Sequence, residues 1–167
     1  MIRKLSLALA FAALSPAAFA HVTLEQKQAE PGSTYRAVMR VPHGCGDQAT
    51  TTLRVQIPEG FYNVKPMPKP GWTLETVSGP YARPYENHGT QLTEGVQEII
   101  WSGGELPDAF YDEFVFRGSF AADLPAGSTV WFPTVQECAA GEEAWIDTSG
   151  DPDAAMPAPA VTLIEAQ

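Results

Sequence analysis

His21 is the residue of this chain whose type and position best suit metal chemistry. It directly follows Ala18-Phe19-Ala20, a small-residue pattern at which signal peptidases cut. Cleavage after Ala20 leaves an α-amine and an imidazole on one residue, and the amine and Nδ1 then close a six-membered chelate ring around a single ion. Nitrogen donors of this kind favour Cu(II). Because the residue after a cleavage site is almost arbitrary, position alone leaves metal binding and coincidence about equally open.

The first twenty residues have the organisation of a cleaved signal peptide. Arg3 and Lys4 form a charged start, and a short apolar run covers residues 5–14. We therefore expect residues 1–20 to be a signal peptide and residues 21–167 to fold as one domain. The apolar run is too short to span a membrane, and no second run follows. The sequence predicts a periplasmic or secreted protein without a membrane span in the mature chain.

The mature chain is strongly acidic. The whole sequence has a net charge of −10, with 20 acidic and 10 basic residues, two of the basic ones in the predicted signal peptide. So acidic a surface argues against nucleic acid and anionic lipid as partners. It attracts cations weakly and without selecting among them, so solubility is the simpler interpretation of the charge.

Cys45 and Cys138 are the two cysteines of the chain. An even number of cysteines in an exported protein indicates a disulfide. A copper site built on free thiolates is the competing hypothesis, and the oxidising compartment disfavours it.

Alternating apolar and polar residues predict an all-β fold. Residues 35–41, 53–57 and 113–117 alternate in this way, and turn residues separate them from further candidate strands. We expect an antiparallel immunoglobulin-like β-sandwich, with a closed barrel as the alternative. The further predicted strands are 60–66, 71–78, 96–102, 129–136, 144–148 and 160–164, residues 148–159 are expected to form a loose linker, and the tryptophans expected in the core are Trp72, Trp101 and Trp131.

Three other residues are candidates to complete a copper site at His21. His43 lies in a tight loop that precedes Gly44-Cys45-Gly46, and a disulfide from Cys45 would tie this loop to the strand end near Cys138. Asp47 lies in the same loop, while Glu25 shares a strand face with His21. His43 is the preferred third ligand, although a histidine in a loop is more often held by hydrogen bonds. Trp145 stands beside the same end of the predicted sandwich, either as an apolar wall over the metal or as a core residue.

Catalytic motifs are missing from the sequence. It contains no Gly-x-Ser-x-Gly, no His-Glu-x-x-His and no glycine loop that cradles phosphate. Met39, Met67 and Met156 are too scattered for a thioether site for Cu(I). We therefore expect a binding protein that is not an enzyme and has no catalytic residues.

Several motifs in a fixed order resemble the YcnI-like family of exported copper-binding proteins, over essentially the whole mature chain. They are His-Val-Thr-Leu at 21–24, Val-Pro-His-Gly-Cys at 41–45, Pro-Gly-Trp-Thr-Leu at 70–74, Tyr-Asp-Glu-Phe-Val-Phe at 111–116, Val-Gln-Glu-Cys at 135–138 and Trp-Ile-Asp at 145–147. The resemblance implies a β-sandwich, a Cu(II) site on the mature N-terminal histidine, and a role in copper handling outside the cytoplasm. It also implies that Trp145 lies beside the metal.

The chain departs from this family at one position of the site. Where a branch with a one-histidine brace has a glutamate just after the Val-Pro pair, this sequence has His43 and Gly44. The leading hypothesis is a Cu(II)-binding protein for copper buffering, homeostasis or delivery, with a copper ion and another exported copper chaperone or cuproenzyme as partners. The alternatives are a copper-dependent oxidase with an N-terminal histidine brace and a metal-free extracellular scaffold.

Overall fold

A computed structural model describes residues 21–165 of the chain, all of them in strands, turns and loops without a helix. The predicted signal peptide, residues 1–20, lies outside the described residues. The part of the chain that is described contains no helix long and apolar enough to cross a membrane. The twelve strands are β1 (Thr23–Leu24), β2 (Gln28–Ala29), β3 (Thr34–Val41), β4 (Thr50–Gln56), β5 (Phe61–Pro66), β6 (Thr73–Asn87), β7 (Thr90–Leu106), β8 (Asp112–Phe120), β9 (Thr129–Trp131), β10 (Thr134–Cys138), β11 (Glu142–Trp145) and β12 (Ala160–Leu163).

Two antiparallel sheets form the sandwich. The first has the strand order β1-β3-β8-β5 and the second has the order β11-β10-β4-β7-β6. A third, smaller sheet has the order β2-β12-β9, in which β2 and β12 run parallel. The predicted immunoglobulin-like β-sandwich is confirmed.

The core lies between the inner faces of the two main sheets. The predicted inner face of β3 is confirmed, since Ala37, Met39 and Val41 have no exposed surface. Across the core, the ring centroids of Trp101 on β7 and Phe114 on β8 are 5.5 Å apart. Such aromatic contacts add to the free energy gained by burying apolar area. The core prediction for the tryptophans is confirmed for Trp101, whereas Trp72 and Trp131 are only half-buried.

The largest differences between the predicted strands and the structure concern three of these strands. The expected strand 129–136 is divided between β9 and β10, which pair in different sheets. Pro133 lies at the break, where it has no N–H group to continue a ladder. The expected strands 71–78 and 96–102 are both longer in the structure. The first continues to Asn87, the second already begins at Thr90, and together they form one long hairpin.

The candidate site lies where the edges of the two main sheets meet. The short strand β1 is an edge of the first sheet and pairs only with β3, through Thr23↔Arg40 and Leu24↔Met39. Strand β11 is an edge of the second sheet and ends at Trp145. The residues just before β1 and the last residue of β11 therefore belong to different layers of the sandwich but lie on the same side of it.

Candidate metal centre

His21 and Trp145 are in contact at this side of the sandwich. Their ring centroids are 5.5 Å apart, with the ring planes tilted by 53°. Val22 is 1% exposed and anchors the chain directly after His21, whereas the His21 side chain itself is half-buried. Burial of Val22 fixes the position of the preceding residue, and the indole of Trp145 forms an apolar wall beside the imidazole.

The segment after β11 folds back over His21. It begins with successive turns in which the backbone N–H of Ser149 donates to Asp147, that of Asp151 to the Ser149 hydroxyl, and that of Asp153 to Asp151. These local side-chain to backbone bonds are typical of Asp and Ser in turns. Hydrogen bonds from the Ser149 side chain and backbone hold the pKa of Asp147 below its usual value. The segment predicted as a loose linker is therefore a structured loop.

This loop and His21 enclose a small cavity. Its volume is about 250 Å³, and its lining consists of His21, Pro152, Asp153, Ala154 and Ala155. A parallel bridge between Asp147 and Pro157 closes the base of the loop. Among these lining residues, Asp153 is the acidic one.

A buried glutamine holds Trp145 in place. Gln136 on β10 has no exposed surface, and its Oε1 accepts a hydrogen bond from Trp145 Nε1 at 3.3 Å. Its Nε2 donates to the backbone carbonyl of His43 and to the Thr50 hydroxyl, both at 2.6 Å. Because buried polar groups need partners, this one amide ties the indole to the loop that contains His43.

Gly44 and Asp108 fix the conformation of the loop that contains His43. His43 Nδ1 lies 2.5 Å from the carbonyl oxygen of Gly44 and 3.7 Å from Asp108 Oδ1, which also accepts from the Gly44 N–H at 3.2 Å. A side chain at Gly44 would place its Cβ 1.8 Å from the backbone oxygen of Gln48. Glycine is therefore required at this position, and the imidazole of His43 is already engaged with its own loop and with Asp108.

The disulfide prediction is confirmed. Cys45 and Cys138 are bonded, with their Cα atoms 6.1 Å apart. Their loop and strand end are thus joined covalently next to the hydrogen bond between Gln136 and the His43 carbonyl.

The two carboxylates named from the sequence lie in other surroundings. Glu25 forms an ion pair with Arg40, with its Oε1 atom 3.2 Å from the guanidinium, and Asp47 is exposed in its loop. Within residues 21–165, no three His, Cys, Asp or Glu side chains are grouped so as to hold a metal ion. The choice among His43, Asp47 and Glu25 as a further ligand stays a prediction.

Sequence reasoning missed two residues of this region. Gln136 gave no signal because a polar residue on a strand is usually exposed, and its partners lie far away in sequence. Asp153 was hidden among the acidic, alanine and proline residues of 148–159, whose composition indicated a linker. The repeated Asp and Ser residues at alternate positions from 147 to 153 were the available sign of a turn-rich, ordered loop.

One solved structure of similar sequence has the same architecture. A crystal structure of an uncharacterized protein from Nocardia farcinica, described as having an immunoglobulin-like fold, is 26% identical, with a TM-score of 0.62 over 86% of this chain and 98% of that one. A cohesin from Acetivibrio cellulolyticus scaffoldin B, solved with a dockerin, is 11% identical, with a TM-score of 0.38 over 86% and 97% of the two chains. A search of curated proteins gave no match. The family model DUF1775, a domain of unknown function, matches residues 21–163, and the chain therefore belongs to the DUF1775 family.

Proposed function

We propose that this protein is an exported Cu(II)-binding protein that buffers or delivers copper and has no catalytic activity of its own. The metal is held by the α-amine and Nδ1 of His21 after cleavage behind Ala20. The contact between the His21 imidazole and the buried Trp145 indole is the observation that carries the proposal. Cu(II) has a high affinity for nitrogen donors, and the protein would hold two such donors in a fixed position.

The surroundings of His21 fit such a site. Trp145 is 4% exposed and held by Gln136, so it forms a fixed apolar wall that limits water beside the imidazole. Since no larger group of ligating side chains exists within residues 21–165, a metal here depends on two donors from one residue. Two features support export and cleavage: the disulfide is typical of oxidising compartments, and the family match begins at residue 21.

Blocking the α-amine is the sharpest test of this function. Mature protein beginning at His21 is compared by calorimetry with the same protein selectively acetylated at its α-amine. Acetylation converts the amine into an amide, adds no new nitrogen donor and leaves every side chain unchanged. We expect Cu(II) affinity to fall on the order of 100-fold or more, because the chelate ring can no longer close.

His88→Ala is the matched control for the His21→Ala variant. His88 is an exposed residue of the β6–β7 turn, and its loss should leave Cu(II) affinity unchanged while His21→Ala abolishes tight binding. Equal affinities for mature, acetylated and His21→Ala proteins would leave a metal-free scaffold as the function. The copper-loaded protein is also expected to show no peroxide-dependent cleavage of sugar polymers, and such turnover would favour the oxidase instead.

The further ligand is identified by two substitutions. Asp153→Asn removes the carboxylate of the acidic residue that lines the His21 cavity, and His43→Ala removes the imidazole whose Nδ1 lies 3.7 Å from Asp108. His43 was the preferred ligand on sequence grounds, but the cavity favours Asp153. We expect Asp153→Asn to weaken Cu(II) binding roughly 10-fold, and His43→Ala to leave both the affinity and the nitrogen couplings in the electron paramagnetic resonance spectrum unchanged. Loss of one nitrogen coupling in His43→Ala would restore His43 as the ligand.

A further inference from the structure

The outer face of the first sheet carries a row of three positive side chains on adjacent strands. Arg36 on β3 is directly opposite Arg117 on β8, and Arg117 is directly opposite Lys65 on β5. Directly paired residues share a face of the sheet and lie about 5 Å apart in Cα position. Like charges at such positions repel each other and lower stability. The arrangement is unexpected in a chain with twice as many acidic as basic residues.

At the other end of the same face, a positive side chain is paired with carboxylates. Arg40, four residues along β3 from Arg36, forms ion pairs with Glu25 at 3.2 Å and with Glu113 at 3.6 Å. Over residues 21–165, no carboxylate lies within 4.0 Å of the charged nitrogens of the three row residues. The row is thus an uncompensated cluster within an acidic protein.

An apolar groove adjoins this row. It has a volume of about 350 Å³ and contains Pro66, Met67, Pro68 and Val115 together with the three cations. Met67 is 51% exposed, although its backbone is fixed by hydrogen bonds to Val115 and to the Trp101 indole. The groove therefore joins a rigid apolar floor to a positively charged rim.

We propose that this groove binds a small amphipathic anion, with a carboxylate or phosphate head on the Arg36-Arg117-Lys65 row and an apolar chain along Met67 and its neighbouring prolines. Guanidinium groups bind such oxyanions through paired, charge-assisted hydrogen bonds. The acidic remainder of the protein repels large polyanions, but salt screens charges more than about 8 Å apart, so a small ligand responds mainly to the row. The groove lies apart from the residues that line the His21 cavity.

Binding is tested on mature protein by calorimetry and by amide chemical shifts. Octanoate and octyl phosphate carry the two possible heads, while octanol lacks the charge, and acetate and inorganic phosphate lack the chain. We expect saturable binding of at least one charged octyl ligand, at least 10-fold tighter than octanol, acetate or inorganic phosphate. The tighter of the two octyl ligands identifies the head. Shifts are expected at residues 36, 65–68 and 115–117.

Arg117→Gln is the decisive variant, and Arg83→Gln is its matched control. Arg83 is exposed, is paired with Asp123 and does not line the groove. We expect Arg117→Gln to weaken binding about 10- to 100-fold and Arg83→Gln to leave it unchanged. Because the substitution removes like-charge repulsion, it should also raise the Tm of ligand-free protein by about 1–3 °C.

Three results would overturn the proposal. The first is the lack of saturable binding by either charged octyl ligand, and the second is equal affinity of the wild type and Arg117→Gln. The third is self-association in sedimentation experiments that Arg117→Gln abolishes while octanoate does not bind, which would assign the row to a contact between copies of this chain. None of these results depends on copper, so they leave the proposed function of His21 unaffected.

Discussion

Removing the Cys45–Cys138 disulfide is expected to lower the free energy of unfolding by about 4 to 5 kcal/mol. The bond closes a loop over a sequence separation of 93, and the chain-entropy model relates this length to a large loss of freedom in the unfolded state. The double variant Cys45→Ser/Cys138→Ser is compared with the wild type by urea unfolding. Because the uncrosslinked unfolded chain is more expanded, the slope of the transition should also increase.

A reducing agent provides the control for this prediction. Reduced wild-type protein should unfold at the midpoint of the double variant, and the double variant should not respond to the reducing agent. A midpoint change worth less than about 1 kcal/mol would mean that the unfolded chain is already compact, which contradicts the entropic account.

Replacing Gln136 with leucine should be nearly as destabilising, at about 3 to 5 kcal/mol. The leucine fills similar space but leaves the Trp145 indole N–H, the His43 carbonyl and the Thr50 hydroxyl without their partner. Each buried polar group that loses its partner costs about 1 to 3 kcal/mol. Urea unfolding measures the loss, and near-ultraviolet circular dichroism reports whether the tryptophan environment changes with it.

Gln56→Leu is the matched control for this substitution. Gln56 lies in the same sheet, on β4, but its side chain is exposed. Its replacement should change stability by no more than about 0.5 kcal/mol. A Gln136→Leu variant as stable as the control would show that the buried amide does not support the indole. In that case the wall beside His21 would depend on packing alone.

The inner faces of the sheets could be predicted because burial on one side imposes a period of two. Ala37, Met39 and Val41 follow this pattern and are fully buried. The same rule fails for Val38 and Val115, which are 1% and 8% exposed although they lie on the outer face. Their cross-strand pair is half-way along β3 and β8, where alternation predicts contact with water. Alternation predicts which face of a strand is turned to the core. It does not indicate where the outer face is also buried.

The candidate site was predictable only where the chain itself brings groups together. Two cysteines can form one disulfide, and an N-terminal histidine carries both the α-amine and the imidazole nitrogen. Neither inference therefore requires knowledge of the fold. The position of Asp153 depends on turns that bring it back over His21, and the role of Gln136 depends on partners from two distant strands or loops. Long-range contacts of this kind follow from tertiary structure, which local patterns do not determine.

The contact between His21 and Trp145 has a consequence for the order in which the chain is made. His21 is synthesised before Trp145 and before the loop that folds back over His21. A nascent or truncated polypeptide therefore exposes the histidine without its indole wall or its cavity. Only a chain that continues past this loop assembles the complete pocket, so a premature stop before residue 145 would remove the pocket even where the first strands still form.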